Sequence, residues 1–331
     1  MKLYHYNQAP LQLFGVPMYD REGKLQRLPD AVIEAMPHLD KLPYRCPGAR
    51  VRFRTNTTRL RVGFSLKTLG MDRAMSIYSC QSAHILSGPL DDLHYVGLVW
   101  TENYDVKNGL GEFTLSGEMC DILIYLPRAE IVEDFTVEID DNAEILPCTP
   151  YEGKPIVYYG SSITEGGCAT CSFNTYDAII SNHLNRDYYN LGFAGNARGE
   201  LMIADFIASL DMSLFVYDYD HNAPDTEFLA QTHEPFFRRI RAVHSTLPIL
   251  MMSMPKERYT EEAERRQVIR RTYENAVNTG DKNVYFLDGE TFYGDIDRHC
   301  CSIDGIHPND LGFYRMAQVI EPKIREILSA R

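Results

Sequence analysis

Pro155-Ile156-Val157-Tyr158-Tyr159-Gly160-Ser161-Ser162-Ile163-Thr164 is where the chain declares its architecture. Four apolar residues in a row, without polar alternation, suit a strand covered on both faces. The glycine and hydroxyls behind them mark an abrupt turn out of it. Similar short apolar runs recur at 188–191, 214–217, 249–252 and 284–287. Segments with helical spacing lie between them, at 176–184, 199–210, 226–243 and 260–279, and another at 310–328 closes the chain. Strand and helix in alternation predict an α/β unit with a parallel, doubly wound sheet of five strands, whose ligands gather at the carboxyl ends of the strands.

Upstream the period changes. From residue 50 to 139 apolar and polar residues alternate: Val51 and Phe53 stand across a polar Thr55-Asn56-Thr57-Thr58 turn from Leu60, Val62, Phe64 and Leu66, and Phe135, Val137 and Ile139 repeat the pattern. Further strand-like runs are 94–101, 111–116 and 121–126. Period two is the mark of half-buried antiparallel strands, so a β-sandwich of jelly-roll type is expected here. The stretch 140–155 is acidic and carries Pro147, Pro150, Gly153 and Pro155, which break helices and central strands alike. The expected domains are therefore 1–150, a β-sandwich, and 151–331, the α/β unit. The 331 residues fit two packed bodies, since single cores stop growing near about 250–300 residues.

A net charge of −13 repels phosphate backbones, and no cluster of Lys and Arg interleaved with aromatics overrides it, so nucleic acid is not an expected partner. No run of about 18 apolar residues is present, so no membrane span is expected. The start, Met1-Lys2-Leu3-Tyr4-His5, has neither an apolar run nor a small-residue cleavage site, which makes the cytoplasm the expected compartment. Eight cysteines without an export signal read as reduced thiols. Cys168 and Cys171 have the spacing of a redox or zinc pair, yet no second pair or His cluster stands near to complete four ligands, so no metal is expected. A homo-oligomer is compatible with all of this.

Four short motifs follow the strands. Gly160-Ser161-Ser162-Ile163-Thr164 leaves a hydroxyl exposed above the sheet, or else caps a helix with Ser and Thr. Asn190-Leu191-Gly192-Phe193-Ala194-Gly195-Asn196 lets backbone N–H groups approach a ligand, or simply makes a tight turn. Asp218-Tyr219-Asp220-His221-Asn222-Ala223-Pro224 offers an amide donor, or an N-cap for the next helix. Ser302-Ile303-Asp304-Gly305-Ile306-His307-Pro308 sets a carboxylate three residues ahead of an imidazole. That carboxylate can hold the Nδ1 proton and leave Nε2 to take one from a hydroxyl. Singly each is weak. Together they supply nucleophile, base, orienter and oxyanion donors, each just beyond a strand.

Gly160-Ser161-Ser162-Ile163-Thr164 resembles the GDS(x)T block of SGNH (GDSL-type) hydrolases, and residues 192–196 resemble their glycine block. Asn222 matches the block that usually reads GxND, and Asp304-Gly305-Ile306-His307 the closing DxxH block. Residues 160–168 and 218–224 are similar to a branch of GDSL-like acylhydrolases that carry an N-terminal β-domain. The resemblance covers 155–331 well and the first half loosely. It implies a flavodoxin-like three-layer α/β/α fold for the second domain and a serine esterase that needs no cofactor. Ser162 would be the nucleophile, His307 the base and then acid, and Asp304 its orienter. The N–H groups of Ser162 and Gly195, with the Asn222 amide, would form the oxyanion hole, and His221 would border the substrate. Two-domain relatives point to a small-molecule substrate, the short-chain acyl ester, above all acetyl, of a saccharide.

The chain departs from the pattern at Ser161, where the family has Asp, and at Asp220 and Ala223, where it has Gly and Asp. Two other functions stay open here. One is a lipase or thioesterase for longer acyl chains; the other is a carbohydrate-binding protein whose hydrolase half has decayed. Asp297 and His299 form a second, poorer acid–imidazole pair. Trp100 and Tyr104 can stack on a sugar or fill a core, and the charge-dense stretch 261–271 reads as a solvated helix face.

Overall fold

The computed structural model describes the chain except residues 71–73, 256–261 and 331. The N-terminal strands are β1 (Lys2–His5), β2 (Gln12–Phe14), β3 (Arg50–Thr55), β4 (Arg59–Leu66), β5 (Ser82–Ser87), β6 (His94–Trp100), β7 (Asn108–Thr114), β8 (Cys120–Tyr125), β9 (Val132–Ile139) and β10 (Ile145–Leu146). They form two antiparallel sheets, one in the order β1-β9-β4-β7 and one in the order β10-β3-β8-β5-β6, with β2 added beside β3. The inward residues of both sheets share one core, in which Val51, Phe53, Leu60, Val62, Ile85, Ile122, Ile124, Phe135 and Val137 are fully buried. This is the β-sandwich that the alternation predicts, because every second side chain faces the partner sheet. Strands β1, β2, β5 and β10 are additions to the expected set.

The parallel sheet contains β11 (Ile156–Gly160), β12 (Tyr188–Gly192), β13 (Leu214–Asp218), β14 (Ile249–Met252) and β15 (Val284–Leu287), in the order β12-β11-β13-β14-β15. All five lie within a residue of their expected bounds. Strands β11 to β14 are buried at every position, which is why, apart from Asn190 and Asp218, their sequences run apolar without alternation. The helices that follow the strands cover both faces. On one side α6 (Leu201–Ala208), α7 (Thr226–Val243) and α8 (Glu262–Asn278) enclose a core with Tyr159, Phe215, Tyr217 and Met251. On the other, α5 (Tyr176–His183) and α9 (Asp310–Ser329) enclose Tyr158, Val216 and Leu250. The result is the flavodoxin-like three-layer arrangement. The expected helix at 260–279 begins among residues outside the described ones.

The two bodies share their cores. Leu86, Leu123 and Tyr125 of the sandwich pack into the layer of α5 and α9. The segment 17–44, with short helices α1 (Pro17–Glu22) and α2 (Asp30–Ala35), crosses to the opposite face, where Met18, Leu28, Val32, Met36, Leu39 and Leu42 join the core of the parallel sheet, while the one-turn helix α3 (Ile77–Cys80) stays with the sandwich ahead of β5. None of the eight cysteines forms a disulfide among the described residues. Among the same residues no helix is long and apolar enough to cross a membrane, and no group of three or more His, Cys, Asp or Glu is placed to hold a metal ion.

Candidate active site

Strand β11 is paired on both sides at the same height: Gly160 lies opposite Gly192 of β12 and Asp218 of β13. The three motifs that follow these residues therefore emerge side by side from adjacent strands. Right after β11, Ser161 caps the one-turn helix α4 (Ser162–Glu165), its Oγ accepting the Ile163 N–H at 3.1 Å. The hydroxyl where the family has Asp is thus the cap, and the next hydroxyl, Ser162, is left half-exposed at the first helical position. A side chain on Gly192 would meet the backbone N and Cα of Glu165 at 2.2 and 2.7 Å, so only glycine lets the turn that carries Ser162 lie against the neighbouring strand.

The Ser162 Oγ stands 2.9 Å from His307 Nε2, and His307 Nδ1 stands 2.8 Å from Asp304 Oδ2. The loop that carries them is braced internally. Asp304 Oδ1 accepts the N–H groups of Ile306 and His307 at 2.9 and 2.8 Å, and the Ile303 N–H donates to the His307 carbonyl at 3.1 Å. Burial pushes the Asp304 carboxyl up, but the backbone N–H of His307, its ring and the Ile306 N–H outweigh it and hold the group below the ordinary carboxylate range. An ionised acceptor therefore faces Nδ1. The rival pair is elsewhere: His299 lies against Cys300 Sγ at 3.4 Å, and Asp297 leads into the turn 298–301.

The glycine block folds into a turn in which the N–H groups of Asn196 and Ala197 both return to the Phe193 carbonyl. Gly195 sits there with φ of +70°, exposed at the tip. In the third motif the cap of α7 is Asp225, which accepts the Phe228 N–H at 2.7 Å, so Asn222 is not spent on capping. Its Oδ1 instead accepts the Ala197 N–H at 3.2 Å, which joins the second and third motifs and fixes the direction of the amide. His221 is half-buried. Desolvation first, then the charges of Arg265 and His307, push it down to about 3 against the pull of Asp304, so it presents a neutral imidazole.

Asp220, which replaces the usual glycine, is an anchor. Its Oδ1 accepts Arg265 Nε at 2.8 Å and its Oδ2 the Met254 N–H at 3.1 Å, while the Arg265 guanidinium also donates to the carbonyls of Asp220 and Ala223. Arg265 is buried, so the charged stretch 261–271 is not simply a solvated face; residue 261 itself is outside the described residues. A fully buried Asp218 lies beneath the site, taking bonds from Thr164 Oγ1 at 2.8 Å and Tyr176 OH at 3.0 Å. Trp100 and Tyr104 are exposed on the sandwich, Trp100 edge-on to Tyr78 at 5.5 Å, so neither fills a core.

Asp218 makes a pH prediction. Burial drives its pKa up to about 7 in spite of those two bonds, whereas an unfolded Asp titrates near about 3.9. Between these values the folded chain holds a proton that the unfolded chain has lost, so Asp218 makes stability fall as pH rises from about 4 to about 7. Asp218→Asn keeps the acceptor and removes the titration. Its melting temperature should drop less than that of the wild type between pH 5 and 8, and equal drops would refute the assignment.

Comparisons with known proteins bear on the family and the fold. Residues 153–325 match the model of the GDSL-like lipase/acylhydrolase family. No curated protein sequence matches the chain. A structure described as a GDSL-like lipase from Bacteroides ovatus superposes with a TM-score of 0.88 at 23% identity, over 99% of this chain and 98% of that one. The salicylyl-acyltransferase SsfX3 from a tetracycline biosynthetic pathway gives 0.80 at 20% identity, over 100% and 99%. A family two carbohydrate esterase from Clostridium thermocellum, in complex with cellohexaose, gives 0.62 at 13%, over 86% and 93%. At these identities the likeness is one of fold, and it spans both halves of the chain. The family match carries the classification: this chain belongs to the GDSL-like lipase/acylhydrolase family and is a carboxylic ester hydrolase.

Proposed function

We propose that the protein is a serine esterase that hydrolyses short-chain acyl esters, acetyl above all, carried by carbohydrates. The observation that carries this reading is the continuous relay Ser162 Oγ to His307 Nε2 at 2.9 Å and His307 Nδ1 to Asp304 at 2.8 Å. In this reading His307 takes the Ser162 proton as the oxygen attacks the ester carbonyl, then returns it to the leaving alcohol. An acyl-enzyme remains, and water activated by the same imidazole releases the acid. The N–H groups of Ser162 and Gly195 and the Asn222 amide receive the charge that develops on the carbonyl oxygen. His221, neutral and beside His307, contacts the substrate. Residues 1–150 form the sandwich domain and 151–331 the catalytic domain, with the segment 17–44 lent by the first to the core of the second.

The carbohydrate part draws on the fold shared with family two carbohydrate esterases, one of them in complex with cellohexaose. A p-nitrophenyl series from acetate to octanoate tests the acyl part: kcat/KM should be highest at acetate and fall with length. A rise toward octanoate would favour a lipase or thioesterase. A panel of acetylated oligosaccharides, read by acetate release beside acyl-CoA and simple lipid esters, tests the carbohydrate part. The fold shared with SsfX3 supports a second reading, transfer of the acyl group to an alcohol other than water. Adding saccharide acceptors to the same assay separates the two, because transfer yields an ester product and hydrolysis only acid.

A further inference from the structure

Glu165 is the last residue of the turn that carries Ser162, and its side chain is buried. Its Oε2 accepts the backbone N–H of Ala194 at 2.8 Å. Ala194 directly precedes Gly195, the residue with positive φ whose N–H the esterase reading assigns to the oxyanion. Two buried arginines from the first half of the chain reach the same two turns. Arg27 donates to the carbonyls of Asn190 and Gly192 at the end of β12, and to that of Leu42 at 2.6 Å, while its guanidinium lies 4.4 Å from the centre of the Phe193 ring. Arg128 donates to the carbonyl of Gly166, the residue after Glu165, and to that of Ala169 at 2.6 Å. Burial pulls both guanidinium pKa values down, and the charge of Glu165 opposes it at each.

We propose that Glu165 is the positioning residue of the oxyanion loop: its carboxylate pins the Ala194 N–H so that the next N–H, that of Gly195, meets the acyl oxygen, while Arg27 and Arg128 fix the carbonyls of the same turns. The proposal rests on the esterase reading. A glycine in the left-handed region has wide backbone freedom, so the Gly195 N–H has a set direction only if its neighbours are held. Oxyanion donors contribute to rate because they are aimed before the charge appears. A buried carboxylate is costly unless opposite charge is at hand, and the two arginines supply it. The N-terminal half thereby becomes part of the catalytic unit without touching the substrate.

Three substitutions separate a held N–H from mere packing. Glu165→Gln keeps an oxygen acceptor at the same reach. Glu165→Asp keeps the charge and withdraws the oxygen, and Glu165→Ala removes the acceptor. Each variant is assayed on p-nitrophenyl acetate, with active sites counted by fluorophosphonate labelling and folding followed by thermal melting. Per labelled site, the Asp and Ala variants should lose kcat on the order of 10²-fold, the effect of misplacing a group by about 1 Å, with KM within a few-fold of wild type. The Gln variant should keep kcat within a few-fold even if it melts earlier. Wild-type kcat in the Asp or Ala variant would overturn the proposal, as would a folded Gln variant that is as slow as the Ala variant. Failure of the esterase reading looks different: the wild type itself would not label, or Ser162→Ala would still turn over.

Discussion

Ser162→Ala is expected to lose turnover on p-nitrophenyl acetate on the order of 10⁶-fold in kcat while remaining folded, and His307→Ala to lose about as much. A serine hydroxyl has little nucleophilicity until a base accepts its proton. Among the described residues only His307 Nε2 is in hydrogen-bonding reach of Ser162 Oγ, so either deletion should remove the whole attack. The double variant should be no slower than the single ones, because groups that act as a unit are not additive. Folding should survive because Ser161, not Ser162, caps α4, and because Ser162 is half-exposed. Measurements of kcat, fluorophosphonate labelling and melting temperature on the same preparations decide it. A folded Ser162→Ala protein with wild-type turnover would remove the serine from the chemistry altogether.

This site is legible in the sequence where backbone constraints are local and hidden where they are tertiary. Strands β11, β13 and β14 were legible because burial on both faces leaves an unbroken apolar run, and β12 and β15 because they carry short runs of nearly the same kind. The motif loops were legible because a sharp exit from a strand demands glycine: Gly192 has the backbone of Glu165 where a side chain would be. In the first half, β5 was missed because its sequence, Ser82-Ala83-His84-Ile85-Leu86-Ser87, buries polar residues, so the alternation fades. The segment 17–44 gave no signal at all. Its helices are six residues each, too short for a period, and its apolar residues are matched to a core formed more than a hundred positions later. Arg27, Arg128 and Arg265 look in sequence like surface charges. Each is buried because its partners are main-chain carbonyls, or a carboxylate, on distant loops that composition and spacing cannot pair. Asp220 shows the same limit: in sequence it is only a departure from the family pattern, and its bond to Arg265 makes it a support.

The second large effect is expected at Asp304. Asp304→Asn should lower kcat on the order of 10⁴-fold with KM little changed, the loss seen when the orienting acid of a serine triad becomes an amide. The carboxylate has two tasks. Its Oδ1 takes the N–H groups of Ile306 and His307, and its Oδ2 faces His307 Nδ1. An asparagine whose oxygen keeps the first task turns an NH₂ group toward Nδ1, and that nitrogen must then become the acceptor. The ring proton moves to Nε2, where it faces the Ser162 oxygen as a donor, and the base is lost although nothing has shifted. Loop geometry is preserved, so the variant should melt close to wild type; a collapse in melting temperature with normal kcat would assign Asp304 to structure alone. Asp304→Ala makes a useful contrast. It frees both backbone N–H groups and lets the loop relax, yet imposes no wrong tautomer, so it should melt earlier than the Asn variant without being proportionately slower. If instead turnover follows stability through the series Asp, Asn, Ala, the carboxylate serves the loop and not the imidazole. The two readings diverge because one bonding oxygen supports the fold and the other sets a proton.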